Sequence, residues 1–335
     1  MPYRSQDLVP DTPTPRSRLT ISVVIPSYNG ASYIGGSISS ILDQTVLPDE
    51  IIVVDDCSQD DTVTVVRNLA RTARAPIRVL RLRRNSGGPA GPINAGVEAA
   101  TSDLIAVLEQ DDRPTPTRIA CSLAAATLLP SAGLICGRVQ MTPSSGQLQD
   151  DLWKDGRPQF SDLSLTAIAP SMYRADSADL LRSLLNRNIV FTNSNAVFPR
   201  SIWRRVGGFD AKYSICADLD FNLKVARISP FVIIDDVLCE YHRHSDSLYN
   251  RNVDLAGQSP AYFEAAYIRM RHALQSYHPS SDVANDWFEE GRRLLTAAWR
   301  RDDWKGTCRI LSVLCSHGAL FHRAIGKLRR KVMSR

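Results

Sequence analysis

Along the chain, short apolar runs alternate with longer stretches whose apolar residues recur every three or four positions. The runs fall at 19–26 (LTISVVIP), 50–56 (EIIVVDD), 77–82 (IRVLRL) and 103–108 (DLIAVL). Runs apolar at nearly every position read as parallel strands covered on both faces. Between them, 31–44, about 61–74 and 89–100 read as helices, with Ile34, Ile38, Ile41 and Leu42 on one face of the first. This β-α-β-α-β-α-β rhythm predicts a parallel sheet with right-handed crossovers. The loops after the first, second and fourth strands then meet at one edge, where open α/β sheets bind ligands.

The later pattern is more mixed. Helices are expected at 114–129, 176–187, 201–206 and 218–228, the third stopped by Gly207-Gly208. Strands are expected at 133–141 and 231–241, and a strand pair or extended stretch at 189–199. Residues 142–165 are polar and irregular and read as a loop. From about 256 the periodicity is helical, at 260–277, 281–299 and 303–335. Residues 1–18 hold four prolines and little to bury, as a disordered lead-in would. The organisation expected is therefore a lead-in (1–18), an α/β body (19–250) and a helical extension (251–335).

Composition narrows the class. With 335 residues, 44% hydrophobic and 22% charged, the chain has the make-up of a globular protein with a full core. Net charge is only +5, which does not mark a nucleic-acid binder. Seven cysteines without a CxxC read as free thiols in a reducing compartment. No run reaches the ~18 apolar residues of a membrane span, so a cytoplasmic location is expected.

The chemistry concentrates where the fourth run ends, in Glu109, Asp111 and Asp112. Carboxylates crowded at a strand end repel one another unless a cation or hydrogen-bond donors hold them. Mg²⁺ or Mn²⁺ carrying phosphates suits such hard oxygen ligands. A plain alternative is a turn capping the next helix, with Asp112 or Thr115 as N-cap and Pro114 or Pro116 at the first helical position.

Taken in order, several stretches resemble the inverting family 2 glycosyltransferases, which have the GT-A fold. They are Val23 to Asn29 (VVIPSYN), Ile52 to Thr62 (IVVDDCSQDDT), Arg84 to Gly88 with Asn94-Ala95-Gly96, and Leu108 to Asp112 (LEQDD). Val206 to Asp210 (VGGFD), Ala217 to Asp220 (ADLD) and Tyr241 to His244 (YHRH) follow, so the likeness covers roughly 20–250. It implies a nucleotide-binding half (19–112) and an acceptor-binding half (113–250).

Residue by residue, the resemblance implies that Pro26 and Tyr28 border the base, with Asp55 and Asp56 accepting from base or ribose. Asn85, Gly88 and Asn94 would shape the floor beneath the donor. Glu109-Gln110-Asp111 stands at the family's Asp-x-Asp motif, Glu109 toward the ribose and Asp111 on a divalent cation. His244 matches a late histidine that adds a metal or phosphate contact; an ordinary surface histidine is the alternative. Asp218 matches the general base, with Asp220 as its neighbour and competitor, and Gly207 and Gly208 would underlie the acceptor. The pattern departs at Glu109 in place of Asp, at Gly91-Pro92 in place of Ala-Arg, and at Ala217 in place of Glu. Arg83, Arg84 or Arg113 are the available replacements for that arginine.

The expected function is transfer of a sugar from a UDP- or dTDP-sugar to a hydroxyl of a glycan or lipid-linked glycan, in cell-surface polysaccharide or glycolipid synthesis. A non-catalytic nucleotide-sugar or glycan binder remains a second class. A nucleotidyltransferase would want a basic glycine-rich loop after the first strand, and a nicotinamide-binding protein a GxGxxG there; Ser27-Tyr28-Asn29-Gly30 is neither. The basic, amphipathic residues 320–335 suit either peripheral contact with anionic lipid or a solvated helix end. Oligomerisation is left open.

Overall fold

The structure, a computed structural model, describes residues 18–143, 158–244 and 260–276, with isolated positions 286, 287, 289–291, 293 and 310 beyond. β1 (Ile21–Ser27), β2 (Glu50–Asp55), β3 (Ile77–Arg81) and β4 (Leu104–Val107) lie in the order β3-β2-β1-β4, every neighbour parallel. Ser27 sits beside Asp55 and Val24 beside Val107, so the carboxyl ends of β1, β2 and β4 share one edge. The expected convergence of three loops is present.

The sheet continues with mixed polarity. β5 (Arg113–Pro114) pairs antiparallel with β10 (Phe231–Arg243). β6 (Leu134–Pro143) runs parallel to β10, whose other edge takes a hairpin of β7 (Leu165–Ala169) and β8 (Met172–Ala175). β9 (Val197–Pro199) runs antiparallel between β4 and β6 and joins the two halves, meeting β6 at a single pair, Ile135 and Val197.

Helices cover both faces. α1 (Ile34–Leu42), α2 (Thr62–Ala70) and α4 (Arg118–Leu128) bury Ile34, Ile38, Val66 and Ile119 against Val23, Ile25, Ile51 and Val53. α3 (Ala90–Ala99), α5 (Ser177–Asn186), α7 (Ala217–Ala226) and α8 (Pro260–Ser276) bury Val97, Leu184, Phe221 and Ile268 on the face carrying Val24, Ile52, Val54 and Val107. Adjacent strand residues such as Val23 and Val24 thus serve opposite cores, as the pleat requires. Each such buried side chain contributes about 1.5–3 kcal/mol relative to exposure. α3 approaches the sheet closely because Gly96 has no side chain: a Cβ there would fall 2.4 Å from Val24 Cγ1. α6 (Arg200–Val206) ends at Gly207, which takes the left-handed conformation (φ 79°) that glycine adopts freely.

The structure departs from the expected elements in several places: β5 takes the start of the expected 114–129 helix, and β10 runs to Arg243, two residues past its expected end. β7 and β8 fall where a loop was expected to end and an unassigned stretch to follow; their residues are largely half-buried or exposed, so the apolar signal is weak. The 189–199 stretch is a 3-10 turn (Asn193–Asn195) followed by the three-residue β9. β6 runs two residues past its expected end, to Pro143. Nearly all of 281–335 and all of the lead-in before Arg18 lie outside the described residues. Among the described residues no helix is long and apolar enough to cross a membrane, and Cys57, Cys121, Cys136, Cys216 and Cys239 are free thiols.

Candidate active site

At the end of β1 the chain turns through Tyr28, whose side chain is exposed, and Asn29, in a left-handed conformation (φ 48°). Pro26 is buried within β1 opposite Val54, leaving Tyr28 as the residue at the mouth. Gln110 fastens this turn to β4: its Oε1 accepts from Ser27 Oγ (2.7 Å) and Tyr28 N (3.0 Å), and its Nε2 donates to Tyr28 O (3.3 Å). A Cβ at Gly30 would lie 2.1 Å from that Oε1, so a larger residue there would displace the Gln110 side chain.

Asp55 and Asp56, consecutive in sequence, do different things. Asp55 is fully buried; its Oδ2 accepts from Ser58 N (3.2 Å) and lies 3.2 Å from Arg81 Nε. Its Oδ1 is buried with no partner among the described residues. A buried acceptor left open costs about 1–3 kcal/mol, which an incoming N–H or O–H would return. Asp56 is spent on the neighbouring loop: both oxygens accept from Ser86 N (2.9 and 3.0 Å), and Oδ2 also accepts from Ser86 Oγ (2.8 Å). Asn85 donates to Asp56 O (3.1 Å) and accepts from Gly87 N (2.8 Å). Asp56 and Asn85 therefore build the 85–88 loop. Arg83 and Arg84 beside it are exposed, whereas the Arg113 guanidinium lies against α1 at Gly36.

The acid cluster does not cap the helix that follows. α4 begins at Arg118 with Thr117 as N-cap, and in its first turn Ile119 N donates to Gln44 Oε1 (3.1 Å), not to one of these acids. Glu109 Oε1 accepts from Asn193 Nδ2 (2.8 Å), and Glu109 N donates to Ser194 Oγ (2.9 Å). Asp112, fully buried, accepts from His242 N (3.1 Å) and from Thr192 Oγ1 (3.3 Å). Asp111 Oδ2 lies 2.8 Å from His244 Nε2, and the His244 ring stacks on Tyr33 with centroids 4.5 Å apart. Sequence positions 111 and 244 are thus brought into direct contact by β10.

Thr192, Asn193 and Ser194 went unnoticed in the sequence, although each holds a member of the acid cluster. The available signal was four short polar residues, Thr192 to Asn195, between apolar Ile189-Val190-Phe191 and Ala196-Val197-Phe198. All four are buried.

Charge is crowded here. Burial first, then the charges of Asp111 and Asp218, push Glu109 up to about 7 despite the bond from Asn193. Burial and the Asp111 charge also raise Asp112 well above the usual carboxylate range. A divalent cation would relieve this repulsion. Among the described residues no three His, Cys, Asp or Glu side chains gather as a ready metal site. Asp111 and His244 supply one carboxylate oxygen and one imidazole nitrogen, a donor pair that fits Mn²⁺ or Mg²⁺ when substrate phosphates and water complete the shell.

Asp218 stands in the first turn of α7 and accepts from Asn188 Nδ2 (2.7 Å). Burial raises it to about 6, against the lowering effect of Asn188 and of backbone N–H groups. Its competitor Asp220 is consumed by structure. Asp220 is fully buried, 2.6 Å from Lys224 Nζ, 2.9 Å from His272 Nε2 and 3.6 Å from Arg271 Nη1. Burial alone would raise it, but His272 and Lys224 hold it down at about 2.

Asn94 acts as a clamp across the site. Its Oδ1 accepts from Trp203 Nε1 (3.0 Å) and Phe209 N (3.0 Å), and its Nδ2 donates to Phe209 O (2.7 Å). It thereby fixes Gly207 and Gly208, both at positive φ, against α3. A Cβ at Gly88 would fall 2.6 Å from Ser214 O, so the 85–88 loop touches the segment leading into α7. A separate hollow of about 1010 Å³ opens at the opposite end of the strands, bordered by Leu19, Asp103, Leu104 and Arg204. None of the acids described above lines it.

Comparison with known proteins agrees with this geometry. Residues 22–203 match the family model described as "Glycosyl transferase family 2", more than half of the 335 residues. Chondroitin synthase of Pasteurella multocida is 26% identical over 257 residues, 76% of this chain and 24% of that protein. The succinoglycan biosynthesis protein ExoO of Rhizobium meliloti is 40% identical over 99 residues, 30% of this chain and 27% of ExoO. The chain therefore spans about a quarter of the length of each of these two relatives. Among solved structures, S. aureus TarS residues 1–349 in complex with UDP-GlcNAc superposes with a TM-score of 0.58 at 19% identity, over 89% of this chain and 80% of that one. That likeness supports the expected GT-A arrangement of a mostly parallel sheet flanked by helices. With the family model covering both the strand-end acids and the turn that holds them, the chain belongs to glycosyl transferase family 2.

Proposed function

We propose that the protein transfers a sugar from a uridine or thymidine diphosphate sugar to an acceptor hydroxyl, with inversion at the anomeric carbon. The observation that carries this reading is that Asn188, which holds Asp218 at 2.7 Å, lies just before Thr192, Asn193 and Ser194, which hold the strand-end acids. One base and the acids that face the donor thus border the same space, as a single displacement needs.

Asp218, once ionised, takes the proton of the acceptor hydroxyl as its oxygen attacks the anomeric carbon. Asn188 orients the carboxylate by donating to its Oδ2. The open Oδ1 of Asp55 accepts the imide N–H of uracil or thymine, and Tyr28 covers the base. Glu109 faces the ribose hydroxyls. Asp111 and His244 would hold the divalent cation, which when bound offsets the charge growing on the departing diphosphate. Gly207 and Gly208, fixed by Asn94, form the floor of the acceptor side.

The names of chondroitin synthase and ExoO support a polysaccharide or lipid-linked glycan as acceptor. TarS in complex with UDP-GlcNAc supports a UDP-sugar as donor. Calorimetric titration with UDP, dTDP and GDP, each with Mn²⁺ and with EDTA, tests the donor site. UDP or dTDP should bind and GDP should not. Equal binding of all three, or of none to folded protein, would overturn the reading.

The basic residues 320–335 lie outside the described residues, and peripheral attachment to anionic lipid is part of this proposal. Co-sedimentation with anionic liposomes should fall on deleting 320–335; unchanged sedimentation would remove membrane contact from it.

A further inference from the structure

The base helix α7 begins without a cap of its own. Its N-cap residue, Cys216, makes no side-chain capping bond. The loop that leads into the helix, 214–216, is held from α8. Glu264 Oε1 accepts from Ser214 N (2.7 Å), and Oε2 accepts from Ile215 N (2.7 Å) and Cys216 N (2.8 Å). Three consecutive backbone N–H groups thus converge on one carboxylate two residues before Asp218, a nest holding an anion supplied by the chain itself. The same segment meets the donor loop, since Ser214 O is the atom that leaves no room for a side chain at Gly88.

The rest of α8 gives Glu264 a firm base. His272 pairs with Asp220 at 2.9 Å, Arg271 donates to Tyr213 Oη at 3.0 Å, and Arg227 donates to His272 O at 2.8 Å. α8 therefore grips α7 on both sides of Asp218, at 214–216 and at Asp220. Glu264 lies beyond residues 22–203, the stretch matched by the family model.

We propose that Glu264 is a positioning residue for the base: it holds 214–216 so that the first turn of α7 presents Asp218 beside the donor loop. The proposal rests on Asp218 being that base. The groups that face Asp218 are Asn188 at the end of α5, Glu109 at the end of β4, Cys216 on its own loop and Glu264 on α8. The Glu264 charge raises Asp218, so this one side chain affects both placement and basicity.

Two variants of the full chain separate those effects. Glu264→Gln keeps the length and removes the charge; Glu264→Asp keeps the charge and withdraws it from the loop. Carboxylate NMR titration reads Asp218 directly and assumes nothing about turnover. Release of UDP from a panel of UDP-GlcNAc, UDP-glucose, UDP-galactose and UDP-glucuronate reads catalysis.

Asp218 should titrate below its wild-type value in Glu264→Gln and near it in Glu264→Asp. Both variants should lose about tenfold or more in kcat, with KM for the donor within about twofold, since small displacements of a reacting group cost that much. A lowered melting temperature with unchanged Asp218 titration and unchanged kcat would overturn the proposal and leave Glu264 a structural cap. Should Glu264→Gln not fold, Glu264→Asp carries the test through its kcat. If Asp218→Asn leaves UDP release unchanged, the base reading fails instead, and an unchanged Asp218 titration in Glu264→Gln would then remove the placement as well.

Discussion

Asp218→Asn is expected to lower transfer to the acceptor by about 10²–10⁴-fold, the range over which general bases contribute, with nucleotide affinity unchanged. Asparagine keeps a carbonyl oxygen to accept from Asn188, so the first turn of α7 stays in place and the loss reports on proton transfer. In the wild type, kcat/KM should fall tenfold per unit below about pH 6, where Asp218 takes up its proton, and should be flat above. That acid limb should vanish in the variant. Equal rates for both proteins at pH 7.5 would remove Asp218 from the mechanism.

The same substitution should act oppositely on stability. Asp218 is raised from the usual 3.8 to about 6, so the folded chain holds its proton more tightly than the unfolded chain does. Ionising it therefore costs folding free energy: nothing below about pH 4, rising between 4 and 6, and complete above 6. The full cost is about 3 kcal/mol, at roughly 1.4 kcal/mol per unit. Asparagine carries no charge, so Asp218→Asn should melt higher than wild type at pH 7.5, and the difference should shrink toward pH 4. A base held poised at neutral pH is thus bought with stability.

Asp111→Ala is the second large effect. Without its carboxylate, His244 remains stacked on Tyr33 but loses its partner 2.8 Å away. The part of UDP affinity that depends on Mn²⁺ should disappear, so titrations with Mn²⁺ and with EDTA should coincide. Turnover should fall on the order of 10²–10³-fold, as when a preorganised group facing developing charge is removed. Glu109 should also titrate below its wild-type value of about 7, since Asp111 follows burial among the causes that raise it. Mn²⁺-dependent binding that survives in the variant would rule out Asp111 as the ligand.

What the sequence made legible was what local pattern encodes. β1, β2 and β4 are nearly continuous apolar runs because both faces are covered, and the acids at the ends of β2 and β4 gather at one edge of the sheet. What stayed hidden depends on contacts made far along the chain. Nothing in 192–195 announces that three of those residues hold acids 80 to 85 positions earlier. Asp55 and Asp56 are indistinguishable as letters, yet one keeps an open oxygen and the other is spent on Ser86. Asp220, the competitor of Asp218, is engaged by His272, which the sequence offered only as part of a helical extension. β7 and β8 went unassigned because half-exposed edge strands lack the apolar contrast on which periodicity depends.

The embrace of α7 by α8 bears on how the protein can be divided. The last recognisable motif ends at His244, and a shortened version or chimera cut near 250 would look complete by that measure. It would lose Ile268, Met270, Ala273 and Leu274 from the core, and with them His272 and Arg271. Asp220 would be left with Lys224 alone beside an opened core, and the loop before the base would lose the carboxylate that ties it down. The smallest transplantable unit is defined by where buried charge finds its partner, and that point lies beyond the motifs.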